Sequence, residues 1–533
     1  MKRLWPWTRL PPFWAGSIVA MEATYLLAFL RPFSLLEHYQ TPGLDLGKLG
    51  QYSVEGALSY TLAMGVLFLI YALAFRRATQ GRVPHLAWIV AGGLLFAATA
   101  GAVYPIGALD VFDNIFYGRM AAFLGGNPLI GAPDAFSGDE LYRYVAWTWW
   151  PIPYGPIWAA LDALLSRLTG GELLAGLVAF KVLGVAMYAA CMLLIAALLR
   201  RLWPGYVTAG TLLFAWSPVV ILEGMANAHN DLTFMVLVLA ALLLHLRGRS
   251  LWGLGALLAS VLLKFVSLAL VPLYLVAAWR EACPEGIVPR ASPRSGSGQA
   301  PRGAWGRAGF LAGAGGMVAL ATLALYLPYV VPGEEWQTLA TRPFRQANLF
   351  TTSLPAVVTF LMEKAWDQQA VQSVVRQMAM GGWAVFTAWQ TWRLALGPSG
   401  PAELAVRSYR VLLYFLLLAC LWFQPWYLIW LLALAPLLGP GFEVAAVILF
   451  SVLVQSKYLI FDFVWFWRTP MDDIIVPEVA TTLLIFGPML GMYAWRAWRC
   501  GLRPGPPRAT RTRPRLAGQA SGPGGRGVQQ SAT

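Results

Sequence analysis

One feature constrains this chain more than any other: apolar runs of membrane-crossing length follow one another almost from end to end. A helix needs about 20 mostly apolar residues to cross a bilayer. Runs at 13–30, 53–75, 86–104, 173–199, 207–225 and 232–246 approach or exceed that length, and more follow at 310–327, 374–396, 406–423 and 474–495. Of the 533 residues, 58 % are hydrophobic and 12 % charged. A soluble domain carries about 25 % charge. So little charge excludes an ordinary soluble enzyme, a disordered chain and a coiled coil. The expected fold class is all-α: a polytopic transmembrane helical bundle in a lipid bilayer.

Lysine and arginine at the run ends set the orientation, because cytoplasmic loops carry the excess of both. Lys2, Arg3 and Arg9 place the N-terminus inside. Arg76 and Arg77, Arg200 and Arg201, Arg247 and Arg249, and Arg496 and Arg499 mark later returns. The alternation predicts about twelve crossings with both termini cytoplasmic. The net charge of +14 then reads as positive-inside topology and anionic headgroups, not nucleic acid. Four cysteines, two of them (Cys191 and Cys420) inside apolar runs, make no disulfide framework. Residues 1–498 form the membrane body. Within it, 105–156 is a first outer loop, 285–306 a flexible cytoplasmic loop and 328–363 a second outer loop. Residues 499–533, rich in Arg, Pro and Gly, read as a disordered basic cytoplasmic tail.

The stretch 251–279 breaks the alternation. It is long enough to cross once, yet Arg247 and Arg249 precede it and Arg280, Arg290 and Arg294 follow it. Two half-helices of about 13 residues, each roughly 20 Å long, would keep both ends cytoplasmic. Such a re-entrant hairpin breaks near Lys264 and carries it deep, where irregular backbone is tolerated only against a cavity. One long tilted span is the alternative.

Chemistry concentrates on the predicted outer face. Asp110 directly follows an outward run, and carboxylates next to a membrane tend to be functional. Asp113 reads either as a site residue or as a turn residue paired with Arg119. Gly126-Asn127-Pro128 and Trp147 to Pro156 read as turns with interfacial aromatics, or as rings that hold a sugar. Asn227-Ala-His229-Asn230-Asp231 brings an imidazole, amides and a carboxylate into a tight connection, with no second His or Cys near enough for zinc. Lys264 is the one lysine of a long apolar stretch. It either snorkels to an interface or seeks an anion, for which a phosphate is suited. Arg342 and Arg345 read as helpers or as solvated loop charges. Gln424-Pro-Trp426-Tyr427 is interfacial anchoring or part of the site. No nucleotide-binding motif is present, which argues against an ATP-driven pump.

Asp110-Val-Phe, Tyr117-Gly-Arg119, Gly126-Asn-Pro128 and Tyr154-Gly-Pro-Ile-Trp158 together resemble the first outer loop of GT-C superfamily glycosyltransferases. The likeness is greatest to the polyprenol-phosphate-mannose-dependent α-1,6-mannosyltransferases and related bacterial membrane transferases. His229-Asn-Asp231, Lys264-Phe265 and Gln424-Pro-Trp-Tyr427 follow in that family's order. The resemblance implies a polyprenyl phosphate-linked sugar donor and a glycolipid or polysaccharide acceptor. It places the reaction on the outer face of a bacterial cytoplasmic membrane, with inversion and an aspartate base, which is Asp110. Lys264, His229, Arg342 and Arg345 would then face the donor phosphate. Asp113, Tyr117, Arg119, Asn127, Tyr154, Asn230, Asp231, Gln424, Trp426 and Tyr427 would contact substrate. The acids here are spaced 110 and 113 rather than as adjacent acids or Asp-x-Asp, so no metal is expected, and no other cofactor. A transporter or flippase of lipid-linked sugars would use the same cationic cavity, and a structural membrane protein is a third reading.

Overall fold

The computed structural model describes residues 10–282, 304–327, 349–397, 400–467 and 474–501. Two compact units divide after Met489; the first holds every site residue described below. The described residues are helical without a strand, and two isolated bridges, Ser34 with Val103 and Thr351 with Trp422, are the only extended pairings among them.

The helices form where the apolar runs predict them, and polar caps fix their starts. Ser53 accepts from Gly56 N at 3.0 Å to open Val54–Thr79, which closes on Arg76 and Arg77. Those cations complement the negative C-terminal end of the helix dipole. Asp367 caps Gln368–Leu396 in the same way. Leu62, Leu69 and Val182 lie on exposed faces, while Trp14, Trp158, Trp216 and Trp430 are fully buried. Exposed aliphatics on long helices suit contact with lipid tails.

Among the described residues, five helices are long and apolar enough to cross a bilayer: Pro12–Leu30, Val54–Thr79, Leu173–Leu202, Phe442–Val464 and Ile475–Arg499. A sixth candidate is bent by 52° between Pro204–Ala215 and Pro218–Ala226. Pro218 has no N–H to continue the first helix and disfavours helical geometry at Ser217, so the run expected at 207–225 is broken. The crossings expected at 86–104 and 232–246 fall on the shorter apolar helices Leu86–Gly101 and Asp231–Leu246, and those expected at 310–327 and 374–396 fall on the long helices Ala304–Tyr326 and Gln368–Leu396. Lys457 and Tyr458 lie within the helical run Phe442–Val464.

The segment after Arg249 folds back on itself. Helix Ser250–Leu263 stops at Lys264, whose backbone is extended (φ −142°, ψ 114°). A 3-10 stretch, Phe265–Leu270, leads into helix Val271–Ala282. Ser250 Oγ donates to Glu281 Oε2 at 2.6 Å, and the Tyr274 hydroxyl donates to Ser250 O at 3.0 Å. The two ends therefore touch, with Lys264 at the turn. A single straight span over 251–279 does not form.

Candidate active site

Two hollows meet at Lys264. The first, about 410 Å³, is lined by Asp110, Asp113, Tyr117, Trp147, Trp149, Gln424 and Trp426 among others. The second, about 910 Å³, is a mainly apolar groove between Phe265–Pro272 and the inner face of helix Gln368–Leu396. Pro153, Tyr154, Lys264, Trp422 and Tyr427 belong to both walls.

Asp110 begins helix Asp110–Ala122, where the positive helix end favours a carboxylate. Burial lifts its carboxyl to about 6; Lys264 and a hydrogen bond from the Trp147 side chain restrain the rise, and Asp231 adds to it. The preceding loop is tied down: Gly107 N donates to Asn227 Oδ1 at 2.9 Å. A Cβ at Gly107 would collide with Asn227 and Tyr458, so the close approach requires glycine.

His229 stands behind Asp110. Its Nδ1 lies 3.7 Å from Asp110 Oδ2 and its Nε2 3.6 Å from Glu223 Oε2. Trp426 stacks on the imidazole with centroids 3.8 Å apart. Ala228, one residue earlier, has φ of 55°, a left-handed geometry that costs an L-residue about 1–2 kcal/mol. Glu223 holds that turn, accepting from Asn227 Nδ2 at 2.8 Å and from the Tyr458 hydroxyl at 2.7 Å. Lys181 Nζ braces the same place by donating to Val103 O, Met225 O and Ala226 O. Burial and Lys264 together push the imidazole well below its ordinary value. The ring lies between the Asp110 and Glu223 carboxylates and does not line the cavity.

Lys264 already has an anion. Its Nζ donates to Asp231 Oδ1 at 2.8 Å and to Asn230 Oδ1 at 3.2 Å. The rings of Tyr154, Phe234, Tyr427 and Trp430 surround it at 5.2–5.6 Å, within the range of cation–π attraction. Asp231 is itself buried and accepts from Trp430 Nε1. The unpaired lysine that the sequence suggests is thus a caged, paired one, and Asn230 and Asp231 are its partners rather than wall residues. Tyr154 reaches it because Gly155 N bonds Leu263 O at 3.0 Å, where a Cβ would collide with the Leu262 carbonyl.

Several expected contact residues also hold the scaffold, Asp113, Tyr117 and Gln424 while lining the cavity. Asp113 is buried, and its Oδ1 accepts from Ala146 N at 2.8 Å and Trp147 N at 3.0 Å; burial and Asp110 push its carboxyl well up. The pairing with Arg119 does not form. Arg119 grips Asp139, Glu140 and Gly171 O and does not line the cavity. The Tyr117 hydroxyl donates to Trp150 O at 2.7 Å. Asn127 Oδ1 accepts from Leu129 N at 3.1 Å in its own turn, away from the wall. Gln424 lines the cavity while its Oε1 accepts from Lys457 Nζ at 2.9 Å. Arg342 and Arg345 lie outside the described residues. Sequence reasoning missed Glu223 and Lys181; each is a lone charge inside an apolar run, which was the available signal.

Residues 14–280 match the family model described as alpha-(1->6)-mannopyranosyltransferase, N-terminal domain. The chain belongs to this mannopyranosyltransferase family. No individually curated protein matches it. In this mannopyranosyltransferase the matched residues supply Asp110, His229 and Lys264, while Gln424, Trp426 and Tyr427 come from beyond them. Its apolar helices make it a membrane glycosyltransferase. Among the described residues no group of three or more His, Cys, Asp and Glu is placed to hold a metal ion.

Proposed function

We propose that the protein transfers mannose from a polyprenyl phosphate-linked donor to a glycolipid or polysaccharide acceptor on the outer face of the cytoplasmic membrane. The observation that carries this reading is the junction at Lys264, where an aromatic-lined cavity holding the Asp110 carboxylate adjoins an apolar groove. A substrate with a sugar, a phosphate and an isoprenoid tail has that same sequence of chemistry. The groove takes the tail, Lys264 faces the phosphate with Arg342 and Arg345 as further candidates, and the sugar lies towards Asp110.

Asp110 is the base in this scheme. The acceptor hydroxyl oxygen attacks the anomeric carbon, its proton passes to the Asp110 carboxylate, and the bond to the phosphate oxygen breaks with inversion. Polyprenyl phosphate leaves with the electron pair. An anion that departs this readily needs no general acid; the Lys264 ammonium stabilises it as charge develops. His229 lies beside the carboxyl, 3.7 Å from Asp110.

The test offers radiolabelled polyprenyl phosphate mannose and a mannoside acceptor to the purified protein in lipid nanodiscs. Label entering the acceptor, with stoichiometric release of polyprenyl phosphate, is the expected result. Donor that crosses between vesicle leaflets without cleavage would make the protein a transporter instead.

A further inference from the structure

The geometry points to Trp149 as the platform on which a sugar ring of the acceptor stacks. This inference rests on the proposed transfer reaction and names the acceptor's place in it. Trp149 lines the cavity of Asp110 but not the apolar groove, so it lies away from the space suited to the donor tail. It is 59 % exposed, yet the chain that carries it is fixed on both sides. Asp113 holds Ala146 N and Trp147 N. Asp134 N donates to Thr148 O at 2.9 Å, the Tyr117 hydroxyl donates to Trp150 O at 2.7 Å, and Ile152 N donates to Pro128 O at 3.0 Å.

An exposed indole on a pinned loop is a preorganised binding surface, since little freedom remains to be lost when a ligand arrives. Its neighbour connects it to the chemistry. Trp147 packs edge-on against Trp149 with centroids 5.9 Å apart and lines the same cavity as Asp110. A pyranose laid on Trp149 presents its apolar C–H face to the ring and its hydroxyls to the polar interior, where Asp110 waits. An exposed tryptophan at a membrane surface also serves as a lipid anchor, and the experiment separates the two roles.

Transfer is measured from radiolabelled polyprenyl phosphate mannose to an octyl α-(1→6)-dimannoside, a probe built on the linkage in the family's description. Trp149→Ala should raise the acceptor KM about tenfold, equivalent to about 1.4 kcal/mol, with donor KM unchanged. Trp149→Tyr keeps an aromatic face and should restore most of the loss. Trp149→Leu keeps an apolar anchor without a ring face and should not. Trp252, 73 % exposed on helix Ser250–Leu263, is the control: Trp252→Ala should leave acceptor KM alone. An acceptor KM within twofold of wild type in Trp149→Ala, or full rescue by leucine, would overturn the platform while leaving the transfer reaction standing. Failure of the wild type to transfer label from the donor would overturn the functional reading itself, and the platform with it.

Discussion

The cavity in front of Asp110 and the groove beyond Lys264 share a wall, but they are built differently. The groove is lined by side chains from Phe265 to Pro272, from one long helix and from the stretch 415–430, nearly all apolar, and its character follows from apolar runs. The cavity is a convergence of Asp110, Trp147, Tyr154, Lys264 and Gln424, held from behind by ties such as Gly107 to Asn227 and Tyr458 to Glu223. The groove is therefore tolerant, and single changes in it alter fit. The cavity depends on alignment, and single changes in it alter chemistry.

The sharpest test of that contrast is Asp110→Asn. It removes the base and should lower kcat by about 10²–10⁴, with donor binding retained. Asp113→Asn, one turn along the same helix, should act differently: it loosens the Ala146–Trp147 clamp, so thermal stability and acceptor KM move before kcat does. Equal kcat losses in both would erase the distinction between base and clamp.

Lys264 sits on the shared wall, and its variants report on both spaces. Lys264→Ala leaves Asp231 buried without its cation, a change that costs about 3–5 kcal/mol where such pairs have been broken. Its melting temperature should fall and its donor affinity should weaken. The double variant Lys264→Ala/Asp231→Asn should recover the melting temperature but not donor affinity. Recovery of both would remove Lys264 from donor binding.

Within the groove, Ala384→Trp fills space on the wall formed by helix Gln368–Leu396. It should raise KM about tenfold, or about 1.4 kcal/mol, for a long-chain polyprenyl donor and spare a donor with a short tail. The same rise for both donors would move the tail elsewhere.

The smallest expected effect is in the pH profile. The base must be deprotonated, and the Asp110 carboxyl is lifted to about 6. The kcat/KM should be level above that pH and fall about tenfold per unit below it. The Trp147 hydrogen bond holds the value down, so Trp147→Phe should move the acid limb to higher pH. A limb that stays in place would detach Trp147 from the base.

The groove's surroundings were far more legible in the sequence than the cavity's. Apolar runs announce helices directly, and arginines on both sides of 251–279 announced a segment that turns at Lys264. The family likeness singled out Asp110 and the His229 turn. Pairings were not legible. Lys264 finds Asp231 33 positions earlier, and Glu223 finds Tyr458 235 positions later; no local pattern encodes either. Asp113 and Arg119 carry the residue types of a site, and only packing reveals that one grips backbone N–H groups and the other a pair of loop carboxylates.

The Asp231–Lys264 pair also bears on how the chain is assembled. Asp231 starts helix Asp231–Leu246 and Lys264 ends Ser250–Leu263. Neither charge is neutralised until these two helices lie side by side. Inserted alone, either helix would carry an unmatched charge at its end, and charges within membrane segments are costly. The two helices are best delivered to the bilayer as one unit during synthesis, the aspartate emerging first and waiting for its lysine.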